Sequence, residues 1–446
     1  MHSLVCRGVG GWRASAEVRM VRRREFLKGA GRTVFALGVV APLLRPARAL
    51  ARLGANERVR LGVIGCGGMG TRHLEALSVN PQCEVAVVCD CFRPRYENAV
   101  GVVEKLSGKA PTGYQDFRKL LDRQDIDGVF VVTPDHWHPL LTILGCQAGK
   151  DVYVEKPASP TVAEGRAMVQ AARRFGRVVQ LGTQQRTTAI FQKAIDLIHS
   201  GRLGTITSAT CWLGVNGWSG GETSAPVPEG LDWDMWLGPA PEEPYSPQRH
   251  YGFMGSHDYC RGGQLTNWGV HLMDIIQWGI RQDRPLSVQA LGGSYRGGAG
   301  SENHENVEVL FEYPGCSVTW EQRHHNTYAG YGYGMKFQGT DGQLLVDRNT
   351  FDVLPESLGI PRFVGEPERS WAHPPHHDDF FDAMRRRRRP TADIEQGHRS
   401  TVPVLLAGIA LKLRRRLNWD PRTETCVRDE QANRMLTRAY RSPWRL

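Results

Sequence analysis

The chain is 446 residues long, 41% hydrophobic and 23% charged, the balance of a globular protein with room for two or three domains. Its net charge of +10 is unevenly spread: residues 1–49 hold ten Lys or Arg against two acids, which leaves about +2 for the rest. That distribution excludes a strong polyanion binder, and with it a nucleic-acid partner.

The basic stretch has the parts of an export signal. Arg22-Arg23-Arg24-Glu25-Phe26-Leu27-Lys28 is a twin-arginine pattern, followed by the mildly apolar residues 34–40, Pro42 and the small-residue site Ala47-Arg48-Ala49. The apolar stretch is too short to span a bilayer. Residues 1–49 are therefore expected to be a signal peptide, read by the twin-arginine translocation machinery, that sends a folded protein to a periplasmic or other extracytoplasmic location. An uncleaved membrane anchor is the alternative, and Met20 is an alternative start to Met1.

From residue 56 onward, strand, Gly turn and helix alternate. Buried strands are expected over 59–65, 83–90, 128–133, 151–155 and 178–181, with helices over 68–79, 95–106, 140–148 and 163–174. Such alternation means a doubly wound parallel sheet, so residues 56–181 are expected to form a Rossmann domain. The pattern changes near Gly182. Strands without intervening helices are expected over 286–295, 306–313, 317–324, 334–339 and 343–347, a mostly antiparallel sheet with one open face. Residues 182–375 are read as an α+β domain for substrate and oligomer contacts, and 376–446 as a helical segment completing the fold, with helices over 377–387 and 400–413. The run Arg385–Arg389 before Pro390 is a basic helix end. Nine cysteines follow the leader, an odd number without a CxxC pair, which argues for buried thiols and against a disulfide framework.

Three motifs carry chemistry. Gly65-Cys66-Gly67-Gly68-Met69-Gly70 is a GxGxxG turn between a strand and a helix, and Asp90 ends the next strand. The glycines allow the tight turn, the approach of backbone to a pyrophosphate and close helix packing. Asp90 suits the two hydroxyls of a ribose and repels a 2′-phosphate, so the expected cofactor is NAD; Arg93 and Arg95 keep NADP open. Thr133-Pro134-Asp135-His136-Trp137-His138 follows a strand at the ligand-binding end of the sheet, with Thr133, Pro134 and His138 expected to line the cofactor site. Glu155-Lys156-Pro157 ends the next strand and faces the same crevice. The third motif, residues 262–274, places Asn267 and His271 four apart, on one face if a helix begins near Asn267. A histidine beside the crevice is a natural general base. His324-His325 and the cluster from His373 to Asp378 lack the spacing of a metal site, and no metal is expected.

At these motifs the chain resembles the Gfo/Idh/MocA family, the relatives of glucose–fructose oxidoreductase and inositol dehydrogenase, and in particular an exported branch of it. The resemblance covers nearly all of residues 59–446 and rests on Gly65–Gly70, Thr133–His138, Glu155-Lys156-Pro157 and Gly262–Asp274. It implies a Rossmann domain, a C-terminal domain with an open antiparallel sheet that supports homo-oligomers, and Lys156 with His271 as a catalytic pair. Asn267 stands where many members have Asp, and an amide cannot transfer a proton. The Gly-His motif of the family's NAD-dependent glycosidases is not evident. The expected function is oxidation of a sugar, polyol or glycoside hydroxyl, with Lys156, His271 and Asn267 at the reacting group. Arg186, Trp212, Trp236, Arg249 and His257 are candidates to line a carbohydrate site. Because free dinucleotide is scarce outside the cytoplasm, the NAD is expected to stay bound and be recycled in place. A redox-neutral keto-sugar lyase or epimerase, and a non-catalytic sugar-binding protein, are the alternatives.

Overall fold

The computed structural model describes residues 58–215, 223–295, 302–324, 332–365 and 374–446. The expected leader lies outside them, as do His325 and His373.

Six strands form one parallel sheet in the order β3-β2-β1-β4-β5-β6: β1 (Val59–Ile64), β2 (Cys83–Cys89), β3 (Thr112–Tyr114), β4 (Gly128–Val131), β5 (Asp151–Val154) and β6 (Val179–Leu181). Helices α1 (Gly68–Ser78), α2 (Arg93–Ser107), α3 (Phe117–Leu121), α4 (His138–Gln147) and α5 (Val162–Arg174) connect them. Strands β4 and β5 are buried at every position, as expected when helices cover both faces. Thr161 caps α5 through Glu164, a reciprocal arrangement that fixes the helix start beside the Lys156 turn. Strand order reverses between β1 and β4, which opens a crevice beyond their carboxyl ends.

After α6 (Ala189–His199), the chain builds a ten-stranded sheet. Its first strand, β7 (Ile206–Val215), is followed by α7 (Trp233–Leu237), α8 (Pro247–Tyr251), α9 (Gln264–Asn267) and α10 (Gly269–Ile280). Then come β8 (Ser287–Gly293), β9 (Asn306–Tyr313), β10 (Cys316–His324), β11 (Tyr333–Gly339), β12 (Gln343–Val346), β13 (Thr350–Leu354) and β14 (Phe363–Val364). The order is β14-β13-β12-β11-β7-β10-β9-β8-β15-β16, with β15 (Leu417–Asp420) and β16 (Thr425–Cys426) at one edge. Among the described strands of this second sheet, only β7 and β10 pair in parallel. Helices α10 and α12 (Ile394–Leu413) pack against it. Burial alternates along β9, and Leu291 and Leu310 are 66% and 51% exposed, so one face is open. The last helix is α13 (Glu430–Arg434).

Helix α11 (Pro374–Arg386) returns to the first domain. Its Phe380, Phe381, Ala383 and Met384 share one buried cluster with Val59, Leu61, Leu74 and Phe130. His377 Nε2 lies 2.9 Å from His73 Nδ1, and Asp378 accepts from Asn80 and Gln82. His376 and His377 are thus built into the nucleotide domain, while His324 ends β10 in the second sheet. The nine cysteines of the described residues are unpaired.

Candidate active site

The glycine turn is fixed by contact rather than by composition alone. Gly65 has φ +95°, and a Cβ there would stand 2.3 Å from the Val132 carbonyl at the end of β4. A Cβ on Gly70 would stand 2.0 Å from the Gly65 carbonyl. Gly67 and Gly68 face the opposite circumstance: a Cβ at Gly68 would meet nothing within 4 Å, and at Gly67 only the Arg95 guanidinium at 3.8 Å. The open space before them is the crevice. No side chain caps α1, so its first N–H groups are presented to that space, the arrangement that receives a phosphate.

Asp90 sits at the rim, nearly buried. Its Oδ2 accepts from Cys66 N (2.8 Å) and its Oδ1 from Phe92 N (2.9 Å). Burial pushes its carboxyl up, against the pull of Arg95 and of those two N–H groups. Each oxygen retains acceptor capacity for a ribose hydroxyl. These residues fit a dinucleotide.

Across the crevice, β5 delivers Glu155 and Lys156. The Glu155 carboxylate is buried, and burial pushes it up; the hydrogen bond from His73 (3.0 Å) and nearby positive charge outweigh this and hold it below its ordinary range. Gln184 also donates to it, at 2.9 Å. A carboxylate can only accept, so His73 Nε2 donates to Glu155, and His73 Nδ1 faces His377 Nε2. Lys156 Nζ donates to Asn267 Oδ1, and Asn267 Nδ2 donates to Gln264 Oε1 at 3.0 Å. This chain sets the amide orientation of Asn267.

These groups share one cleft of ≈ 450 Å³. Gly65, Gly67, Gly68, Met69, Asp90, Thr133, Pro134, Glu155, Lys156 and Asn267 all line it, together with Arg95. Its far wall is Met235, Trp236, His250, Tyr251, Phe253 and Met254. That wall belongs to a segment, residues 223–259, that crosses the edge of the nucleotide domain. Leu231 bridges to Phe92, Arg93 N donates to Gly230 O (2.9 Å), and Asp232 N donates to Cys91 O (2.9 Å). Gln115 Nε2 reaches Gly230 O at 2.9 Å, and Trp137 Nε1 reaches Trp236 O at 3.0 Å. The segment therefore straps the crevice next to Asp90. Burial pushes His136 down to about 3 and His250 down to about 4, so both rings under the strap are neutral at neutral pH.

Several expected site residues lie elsewhere. His138 does not line the cleft: its Nδ1 and Nε2 each lie 2.8 Å from a carbonyl, of Pro157 and Thr133, so it is a strut between two cofactor loops. Arg186 is buried in an ion pair with Asp274 (2.7 Å) and rests on the Trp278 ring. Trp212, 3% exposed on β7, packs against Gly334. Arg249 reaches the Pro244 carbonyl (2.5 Å), and His257 lines a separate pocket. The expected single helix through Asn267 and His271 breaks at Trp268, which ends α9 before α10 begins. His271 is 6% exposed and outside the cleft lining. Sequence reasoning missed Gln264, although its position three before Asn267 on a helix is a signal for contact. It also missed Tyr251, Phe253 and Met254, which lie in an irregular stretch with no periodicity to mark them.

A glycine turn on α1, an acid after β2 and a lysine after β5, all at the topological switch of a 3-2-1-4-5-6 sheet, define a dinucleotide-binding two-domain protein. Residues 59–183 match the model of the oxidoreductase family NAD-binding Rossmann fold, and residues 191–446 match that family's C-terminal alpha/beta domain. The chain belongs to the Gfo/Idh/MocA oxidoreductase family, and its cofactor is NAD. Among curated relatives, a glycosyl hydrolase family 109 protein of Shewanella sp. (strain ANA-3) is 33% identical over 171 residues, 34% of this chain and 37% of its own length. The match thus spans little more than a third of that relative. Two solved structures share the fold over 81% of this chain and 99% of theirs. One is aldose-aldose oxidoreductase from Caulobacter crescentus, complexed with glycerol (TM-score 0.63, 18% identity), and the other is levoglucosan dehydrogenase in complex with NADH and levoglucosan (TM-score 0.63, 17% identity).

Proposed function

We propose that this protein is an exported oxidoreductase that acts on a hydroxyl of a sugar, polyol or glycoside, keeps its NAD bound between turnovers, and passes the hydride on to a second, carbonyl substrate that is reduced to its alcohol. The observation that carries the reading is the single cleft shared by the glycine turn, Asp90 and the Lys156–Asn267 pair. NAD, when bound, supplies the hydride acceptor. The chain supplies the rest: N–H groups of α1 hold the pyrophosphate, Asp90 the ribose, and Thr133, Pro134 and Glu155 flank the lysine. Lys156 Nζ meets the substrate hydroxyl and exchanges its proton, while Asn267 Oδ1 aims it. Lys156 is favoured over His271 for this contact because it lines the cleft. In the aromatic wall Tyr251, 60% exposed, is the ring that can meet the C–H edges of a carbohydrate, whereas Trp236 is 3% exposed and stacked on Trp233.

The strap supports cofactor retention, which an export leader over residues 1–49 would require. Protein purified in its mature form should keep about one dinucleotide per chain after exhaustive dialysis. Protein that emerges cofactor-free, yet releases free NADH with a sugar, would sink the retention reading. The similarity to a glycosyl hydrolase family 109 protein favours a redox-neutral variant on a glycoside; product analysis distinguishes the two, since only net oxidation leaves an oxidised sugar. The open sheet face with Leu291 and Leu310 is the surface we assign to self-association.

Asn267 also makes a testable difference to pH dependence. Asn267→Asp would place a carboxylate against the ammonium and favour its charged form. The pH at which kcat/KM rises should move upward by about one pH unit or more. An unmoved profile would remove Lys156 from proton exchange.

A further inference from the structure

A second, smaller pocket, ≈ 30 Å³, lies between the 257–261 stretch, the start of α5 and the last turns of α12. Three of the residues around it are basic: His257, Arg261 and Lys412. Among the described residues, neither Arg261 nor Lys412 has a carboxylate within ion-pair distance, and the buried Nε of Arg261 has no hydrogen-bond partner. The nearby acids are engaged elsewhere. Glu164 is held by Arg438 (2.8 Å) and Tyr440 (2.7 Å), and Glu302 accepts from the backbone N of His257 (2.7 Å). Glu164, Asp258 and Glu302 act on Arg261 only at a distance, and the buried Arg438 adds repulsion. Burial and that neighbour hold Arg261 below its ordinary range.

A buried guanidinium N–H without a partner, with two further basic side chains around the same pocket, is a cost to the fold unless an acceptor enters. We propose that this pocket binds a small inorganic oxyanion of the phosphate class, with Arg261 as the forked donor, Lys412 as a second positive charge and His257 as a further ring N–H donor. The volume is that of a few water molecules, the scale of a free anion. The pocket is separate from the cleft, but one stretch of chain serves both: His250 to Met254 form the cleft wall and His257 to Arg261 the anion pocket. An anion here would fix the far end of the strap without touching substrate.

The test is thermal unfolding of the full chain in inorganic phosphate and in chloride at matched ionic strength. Phosphate should raise Tm saturably, by roughly 2–4 °C at excess. Lys412→Gln, at an exposed position, should weaken the apparent phosphate affinity about tenfold or more. It should also leave Tm in chloride unchanged or higher, because a like charge has gone. Arg261→Gln should abolish the response; if that variant does not fold, calorimetric titration of wild type and Lys412→Gln carries the comparison. Either a wild-type phosphate response no greater than that to chloride, or an equal response in Lys412→Gln, overturns the proposal.

Discussion

Lys156→Met should lower turnover about a thousandfold, within the range of about 10²–10⁴ for a lost proton-transfer group, with the dinucleotide still bound. Methionine keeps the length and apolar contacts of the lysine stem but has no N–H for Asn267 or for a substrate hydroxyl. The glycine turn, Asp90 and the strap are untouched, so retention of the cofactor separates a chemical defect from a folding one. The measurement is absorbance of the bound nicotinamide on mixing with a panel of sugars and polyols, wild type against variant. Turnover within threefold of wild type would remove Lys156 from the chemistry. If His271→Gln alone silences the reaction, proton exchange belongs to the histidine.

Asp274→Ala should cost about 3–5 kcal/mol of stability, because it strands a buried guanidinium. Asp274 is fully buried, accepts from Arg186 through Oδ2 (2.7 Å) and from Ser400 through Oδ1 (2.5 Å), and joins α10 to α12. The double change Arg186→Met with Asp274→Leu should restore most of the loss, since it removes both charges and fills the space. Denaturant midpoints of the three variants decide this. KM should be unchanged wherever the protein folds. A folded Arg186→Met protein with KM raised many-fold would return Arg186 to the substrate site.

The nucleotide domain was legible because parallel strands read as continuous apolar runs and the GxGxxG turn marks where the first one ends. Strand β3 and helix α3 were not legible: three and five residues are too short for periodicity. Strand β7 was missed although it is central, because its small and polar residues, Thr207, Ser208, Ala209 and Thr210, gain burial only from their partners β10 and β11. Site residues followed the same division. Those at strand ends, Asp90, Glu155 and Lys156, were placed by topology. Arg186, Trp212, Arg249 and His257 were chosen for residue type alone, and type does not say which way a side chain points. Asn267 lay between the two cases: its contact with Lys156 joins groups 111 residues apart.

The return of α11 to the nucleotide domain carries a consequence for biosynthesis. Phe380, Phe381 and Met384 close the apolar layer over β1 and β4, yet they are translated more than 300 residues after Val59. While the ribosome is still making the second sheet, the first domain has a bare flank and His73 lacks His377. A chain emerging in order therefore leaves this apolar flank of the nucleotide domain uncovered until α11 has been made.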